Sequence, residues 1–303
     1  MWGDRAGLLT ARLVGAMLRP WHRRHATKGR DEAITDKPLT LITGATGGIG
    51  EAIALRLGRA GHTLLLTGRD ETELQDIAAR VRAEAPETAQ TFSVAVDLQS
   101  QGAAALIDEI CASQGFYVDV LINNAGLAEK AAFLNNDTQL IETVIDVNVT
   151  VLTRLMRHYL PAMVARGSGA VINMSSIGGL APGPYQSVYY ASKAYVTSIT
   201  EAVAHEVRGR GVYVGAVLPG PTKSRFHARA NGRGSYYLSF FGEMRADRVA
   251  ATVERALYSR HWPLVEPGPF YALIGLAMRV IPGSLLTPLM GVLYKQRAGK
   301  PRL

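Results

Sequence analysis

One cysteine in 303 residues, Cys111, rules out an intrachain disulfide and any cysteine-based metal cluster. It falls in a helical pattern, where a lone thiol acts as a small buried apolar group. It fits a reducing, cytoplasmic compartment. Paired metal-binding histidines are also missing. His205-Glu206 has no second histidine to complete a zinc helix, and His158 has no partner motif, so no metal is expected. Acids are scarce in the first thirty residues. Arg5, Arg12, Arg19, Arg23, Arg24, Lys28 and Arg30 stand there against Asp4 alone. Most of the net charge of +8 therefore sits in a tail, which is not a nucleic-acid-binding face. No apolar run reaches the roughly 20 residues of a bilayer span. Phe270 to Tyr294 comes nearest, but Arg279, Pro282, Gly283 and Pro288 cut it into two short helices.

What is present is an ordered alternation. From Pro38, short apolar runs alternate with helical periodicity, which predicts a parallel, doubly wound α/β sheet. A first helix spans about Gly48 to Ala60, with Ile49, Ile53 and Leu57 on one stripe. His62 to Thr67 reads as a strand buried on both faces. Leu74, Ile77, Ala78 and Val81 mark the next helix, with Asp70 as its cap and Glu73 three residues on. Phe92, Val94 and Val96 alternate in a third strand, and Val118 to Asn123 forms a fourth. A helix from Gln99 to Ser113 lies between them, with Asp97 placed to cap it. Leu140 to Arg166 reads as one helical stretch, Ala170 to Met174 as a strand, and Val212 to Leu218 as a further strand.

Two stretches carry chemistry. Residues 39–50 run from an apolar strand into a turn with Gly44, Gly48 and Gly50, and then into a helix. A turn without side chains lets backbone N–H groups and a helix N-terminus approach a pyrophosphate. Glycine clusters alone are weak evidence, since any tight turn contains them; the strand–turn–helix order is what gives this one meaning. The second stretch is Ser176 to Lys193. Tyr189 and Lys193 are one helical turn apart and share a face. An ammonium beside a phenol favours the phenolate, drawing its pKa down from about 10. The Ser176 hydroxyl can hold a carbonyl oxygen for protonation by Tyr189.

Thr43-Gly44-x-x-x-Gly48-x-Gly50, Asn123-Asn124-Ala125-Gly126, Asn148, Ser176, Tyr189-x-x-x-Lys193 and Pro219-Gly220 occur in that order. The chain resembles the short-chain dehydrogenases/reductases over about Lys37 to Glu266. That resemblance implies a Rossmann-type single domain, a nicotinamide cofactor, a carbonyl or alcohol substrate and a homo-oligomer. It implies Asn148, Ser176, Tyr189 and Lys193 as the catalytic set, with Asn148 holding a water beside the lysine. Tyr190, three residues from Lys193, is left out. Implied cofactor contacts are Thr43, Gly44, Thr46, Gly48, Ile49 and Gly50 at the first turn. Asp97 and Leu98 lie by the adenine, and Asn124, Ala125 and Gly126 close the fourth strand. Tyr189 and Lys193 also touch cofactor. Pro219, Gly220, Thr222 and Ser224 cover the nicotinamide end, with Ser224 standing where threonine is usual.

After the second strand, Rossmann proteins meet the adenosine ribose. Here Gly68 and Arg69 replace the acid that would favour NAD, so NADP(H) is expected. Residues 1–36 form a basic extension with Leu8, Leu9, Leu13, Val14, Met17 and Leu18 on one side. It fits a packed helix, a segment lying on an anionic membrane, a targeting peptide, or an extension without function. The domain runs over 37–303, with 266–303 an apolar helical appendage that walls a pocket, meets another subunit or touches a membrane peripherally. Phe226 to Phe241, rich in aromatics and glycine, reads either as a lid or as packed helices. An NADP(H)-dependent reductase of an apolar ketone or aldehyde is the first expectation. A membrane-associated lipid or fatty-acyl reductase and a non-catalytic NADP(H) sensor are the alternatives.

Overall fold

A computed structural model describes residues 36–223 and 242–294. The expectations for the N-terminal extension, for Ser224 and for the Phe226–Phe241 loop lie outside the described residues. Seven strands form one parallel sheet: β1 (Lys37–Ile42), β2 (Leu64–Gly68), β3 (Thr91–Ala95), β4 (Phe116–Asn123), β5 (Gly169–Met174), β6 (Val212–Val217) and β7 (Leu264–Val265). Their order is β3-β2-β1-β4-β5-β6-β7. The two-residue β7 has no signal in the sequence; it is held because Ala216 and Leu218 donate to Pro263 and Val265 carbonyls.

The helices follow the apolar spacing. They are α1 (Gly48–Arg59), α2 (Glu71–Glu84), α3 (Ala103–Ser113), α4 (Thr138–Ile145), α5 (Leu152–Arg166), α6 (Ser187–Glu206), α7 (Ala246–Ser259), α8 (Pro269–Val280) and α9 (Gly283–Tyr294). Leu39, Leu41, Leu65, Leu121, Val171 and Val214 alternate along the strands and join Ile107, Met156, Met163 and Val196 of α3, α5 and α6 in one core. Cys111 is buried in this layer, where desolvation pushes its thiol up to about 12. On α1, Arg56 pairs with Glu254 of α7 at 2.6 Å. Burying each large side chain contributes about 1.5–3 kcal/mol, so the sheet faces dominate stability.

Four local readings need correction. The Leu140–Arg166 stretch is not one helix: a π-helical turn, Asp146–Val151, separates α4 from α5. Such a turn widens the backbone by a residue and is common near functional sites. Helix α3 starts at Ala103, so Asp97 does not cap it. Its carboxylate accepts from the Gln99 amide at 3.0 Å, closing a local turn first. Pro288 sits inside α9, and only the Ile281-Pro282 break divides the apolar stretch. Burial also overrides the pull on the Tyr189 phenol, as the site geometry shows. The Asp70 cap holds as expected, accepting from the Glu73 amide at 3.0 Å.

Candidate active site

Between β1 and β4 the strand order reverses, and a crevice opens there beyond the strand ends. It is a cavity of about 650 Å³. Two loops press together at its floor. Thr43 Oγ1 accepts from the Asn124 and Ala125 amides at 3.0 and 3.1 Å. The Asn124 side chain donates to the Thr43 and Gly44 carbonyls at 3.1 and 2.9 Å. Gly44 has φ +61°, and a Cβ there would lie 2.8 Å from Ala125 Cα. Only glycine permits both the turn and the approach.

Gly44, Thr46, Gly48, Ile49 and Gly50 line the crevice wall made by the first turn. Helix α1 begins at Gly48, and its N-cap residue, Gly47, supplies no side-chain cap. Its leading N–H groups therefore have no side-chain acceptor, and they line a cavity no side chain fills. That is a fit for a pyrophosphate. Arg69, Asp97 and Leu98 line the next wall, Asn124, Ala125 and Gly126 the one beyond. Pro219, Gly220 and Thr222 close the far side, with Thr222 donating to the Gly220 carbonyl at 2.9 Å.

Ser176, Tyr189 and Lys193 meet at that far end. The Ser176 hydroxyl accepts from the Gly178 amide at 3.0 Å and hydrogen-bonds the Tyr189 hydroxyl. Desolvation raises the Tyr189 phenol to about 12; the Ser176 bond pulls the other way, and Glu129 pushes it up further. Lys193 Nζ donates to the Met174 carbonyl at 2.8 Å and lies 5.8 Å from the centre of the Tyr189 ring. Burial lowers its pKa to about 8. Thus the phenol, expected to be drawn down by its lysine, is held up instead. Desolvation penalises the phenolate more than a distant ammonium rewards it.

Asn148 is buried behind this group, turned inward by the π-helical turn. Its Oδ1 accepts from the Leu127 amide at 2.8 Å, and its Nδ2 donates to the Leu127 carbonyl at 2.8 Å and to Ser192 Oγ at 2.9 Å. A methyl group on Gly126 would sit 3.3 Å from Asn148 Oδ1 and 3.5 Å from Lys193 Nζ. Asn123 points elsewhere and ties β4 to β5 through Asn173 at 2.9 Å.

Sequence reasoning missed Glu129. It is buried, and its carboxylate accepts from the Val188 and Tyr189 amides at 2.8 and 3.1 Å. It caps the start of α6 from a loop sixty residues away, so no local capping pattern betrays it. Tyr294 of α9 also lines the crevice, and its hydroxyl bonds that of Tyr190. Among the described residues, no group of three or more His, Cys, Asp or Glu side chains is placed to hold a metal.

The family profile described as short chain dehydrogenase matches residues 38–233. Sulfoacetaldehyde reductase 2 of Chromohalobacter salexigens is 36% identical over 193 residues, covering 62% of this chain and 74% of that one. Very-long-chain 3-oxoacyl-CoA reductase-A of Danio rerio is 31% identical over 183 residues, 59% of this chain and 56% of that protein. A short-chain dehydrogenase from Sphingobium yanoikuyae, solved in complex with NADPH, superposes with a TM-score of 0.70 at 31% identity. It covers 88% of this chain and 99% of that one. With its seven-stranded parallel sheet and the match over most of the domain, the chain belongs to the short-chain dehydrogenase/reductase family of Rossmann-fold, NAD(P)-binding oxidoreductases.

Proposed function

We propose that the chain is an NADP(H)-dependent oxidoreductase that interconverts an apolar ketone or aldehyde and its alcohol. The observation that carries this is the Ser176–Tyr189 hydroxyl pair at one end of the crevice whose other wall is the uncapped start of α1. NADPH, when bound, supplies a hydride to the carbonyl carbon. The residues that would hold it are those of the glycine turn, Asp97 and Leu98, Asn124 to Gly126, and Pro219 to Thr222. Ser176 would donate to the carbonyl oxygen and orient it. Tyr189 keeps its proton well above neutral pH and gives it to that oxygen. Lys193, charged below about pH 8, stabilises the phenolate left behind. Asn148 fixes the turn facing Lys193, and the phenol regains its proton through water past Lys193 and Asn148.

Two features support NADP(H) over NAD(H). Arg69 stands at the crevice wall, free to face a 2′-phosphate. Asp70, the nearby acid, is engaged as the α2 cap. A homo-oligomer and a cytoplasmic setting belong to the same reading. A second reading, a lipid or fatty-acyl reductase at a membrane, is favoured by the exposed apolar side chains of α8 and α9. A non-catalytic cofactor sensor would need the glycine turn but not Tyr189. Replacing Tyr189→Phe is therefore the deciding experiment. NADPH oxidation with a carbonyl substrate should fall about 10²–10⁴-fold, with NADPH affinity by fluorescence nearly unchanged. Turnover retained in that variant overturns the acid role.

A further inference from the structure

Eight of the sixteen large apolar side chains exposed among the described residues fall between Phe270 and Val292. Phe270, Leu273 and Leu276 project from α8, and Leu285, Leu289 and Val292 from α9; Leu273 is 67% exposed and Leu289 54%. The opposite faces are already used. Met278, Leu286 and Met290 pack under Tyr190 and Tyr294. Arg279, Ser284 and Thr287 apart, both helices thus carry apolar side chains on the outward as well as the packed face, which is the pattern of a helix covered on both sides. With twelve residues each, they are too short to cross a bilayer, and no helix among the described residues is long and apolar enough to span one.

Charge decides between the candidate covers. No acid occurs after Glu266, whereas Arg279, Lys295, Arg297, Lys300 and Arg302 do. Glu266 answers Arg279 at 3.0 Å. The sequence that follows directly on α9 is thus basic and acid-free, which suits an anionic surface better than a second copy of the same charge. An anionic headgroup layer would meet both features at once: cations at the phosphates, leucines in the acyl boundary.

We propose that the outward face of α8 and α9 lies in the plane of an anionic lipid surface. This places the lipid beside the crevice, because Tyr294 at the end of α9 lines it and bonds Tyr190. An apolar substrate dissolved in the bilayer would then enter at the Tyr189 end. The lipid contact itself does not depend on which carbonyl, if any, is reduced.

Flotation of the full chain with vesicles of phosphatidylcholine, with and without phosphatidylserine, tests it. The chain should float with the mixed vesicles and much less with phosphatidylcholine alone, and added salt should weaken binding. Leu273→Asp with Leu289→Asp should lower the partition coefficient about tenfold or more. Turnover of a short water-soluble ketone should be unchanged, which also reports folding. Leu273→Ser with Leu289→Ser repeats the test with a milder change. Failure of the unaltered chain to bind mixed vesicles overturns the proposal, as does equal binding to neutral ones. Binding that survives both pairs also overturns it, since the contact would then lie elsewhere. Light scattering that shows a dimer of the unaltered chain and a monomer of the Asp pair assigns the face to a second copy instead.

Discussion

Tyr189 and Lys193 titrate in the opposite order from free side chains brought together in water. Burial lifts the phenol to about 12 and drops the ammonium to about 8. The group that loses its proton first as pH rises is therefore Lys193. Below about pH 8 it carries its charge and, in the mechanism we propose, would support the phenolate; above, that support would be lost. The rate of carbonyl reduction, followed as kcat/KM, should fall as pH climbs through about 8, well before Tyr189 itself ionises. A profile flat to pH 10 would show that the Lys193 charge does no work. Arg69 sets a second expectation at this scale. A charge-assisted bond to a phosphate contributes about 1.5–3 kcal/mol. Arg69→Glu should cut the NADPH-over-NADH preference by about tenfold to hundredfold, measured as the ratio of the two kcat/KM values. An unchanged ratio would remove Arg69 from cofactor choice. The identities of these residues were readable from spacing; the order of their pKa values was not, because desolvation depends on what the fold packs around them.

Helix α6 holds Tyr189 and Lys193 in register, and its first turn is anchored from outside. Glu129 satisfies the Val188 and Tyr189 amides from the loop after β4. Removing a buried acceptor leaves those donors unpaired, at a cost of about 1–3 kcal/mol. Glu129→Ala should lower unfolding free energy by that amount in urea titrations, and reduce kcat by loosening Tyr189. Loss of stability with full kcat would mean the anchor serves folding alone. The π-helical turn acts at the same scale. A regular helix through Asp146–Val151 was the natural reading of Leu140 to Arg166, since 3.6-residue periodicity does not reveal one inserted residue. Asn148 consequently reads as an ordinary mid-helix polar residue, yet it is buried and bonds both polar groups of Leu127. In the same way, the caps at Asp70 and Glu129 differ in legibility. One lies three residues from its amide and the other about sixty.

The crevice opens where the strand order reverses between β1 and β4, so a cofactor bound there would join the two halves of the sheet. Binding there should stabilise the fold. At a hundred times its dissociation constant, a ligand contributes about 2.7 kcal/mol, which raises Tm by several degrees in a domain of this size. NADPH should produce that shift in a thermal melt, and NADH a smaller one at equal concentration. Equal shifts would argue against a preference for the phosphate. The sequence alone determined the parallel sheet, the position of the glycine turn and the Ser176–Tyr189–Lys193 grouping. These depend on local spacing and on the two-residue and 3.6-residue periods, which survive without knowledge of neighbours. Only the tertiary structure decided that Glu129 caps α6, that Asn148 faces Leu127, and that Tyr294 walls the crevice. It alone decided too that α8 and α9 keep an uncovered apolar side. Each of these joins residues far apart in the chain, so the physical cause is a packing contact or a loss of water that no short stretch encodes.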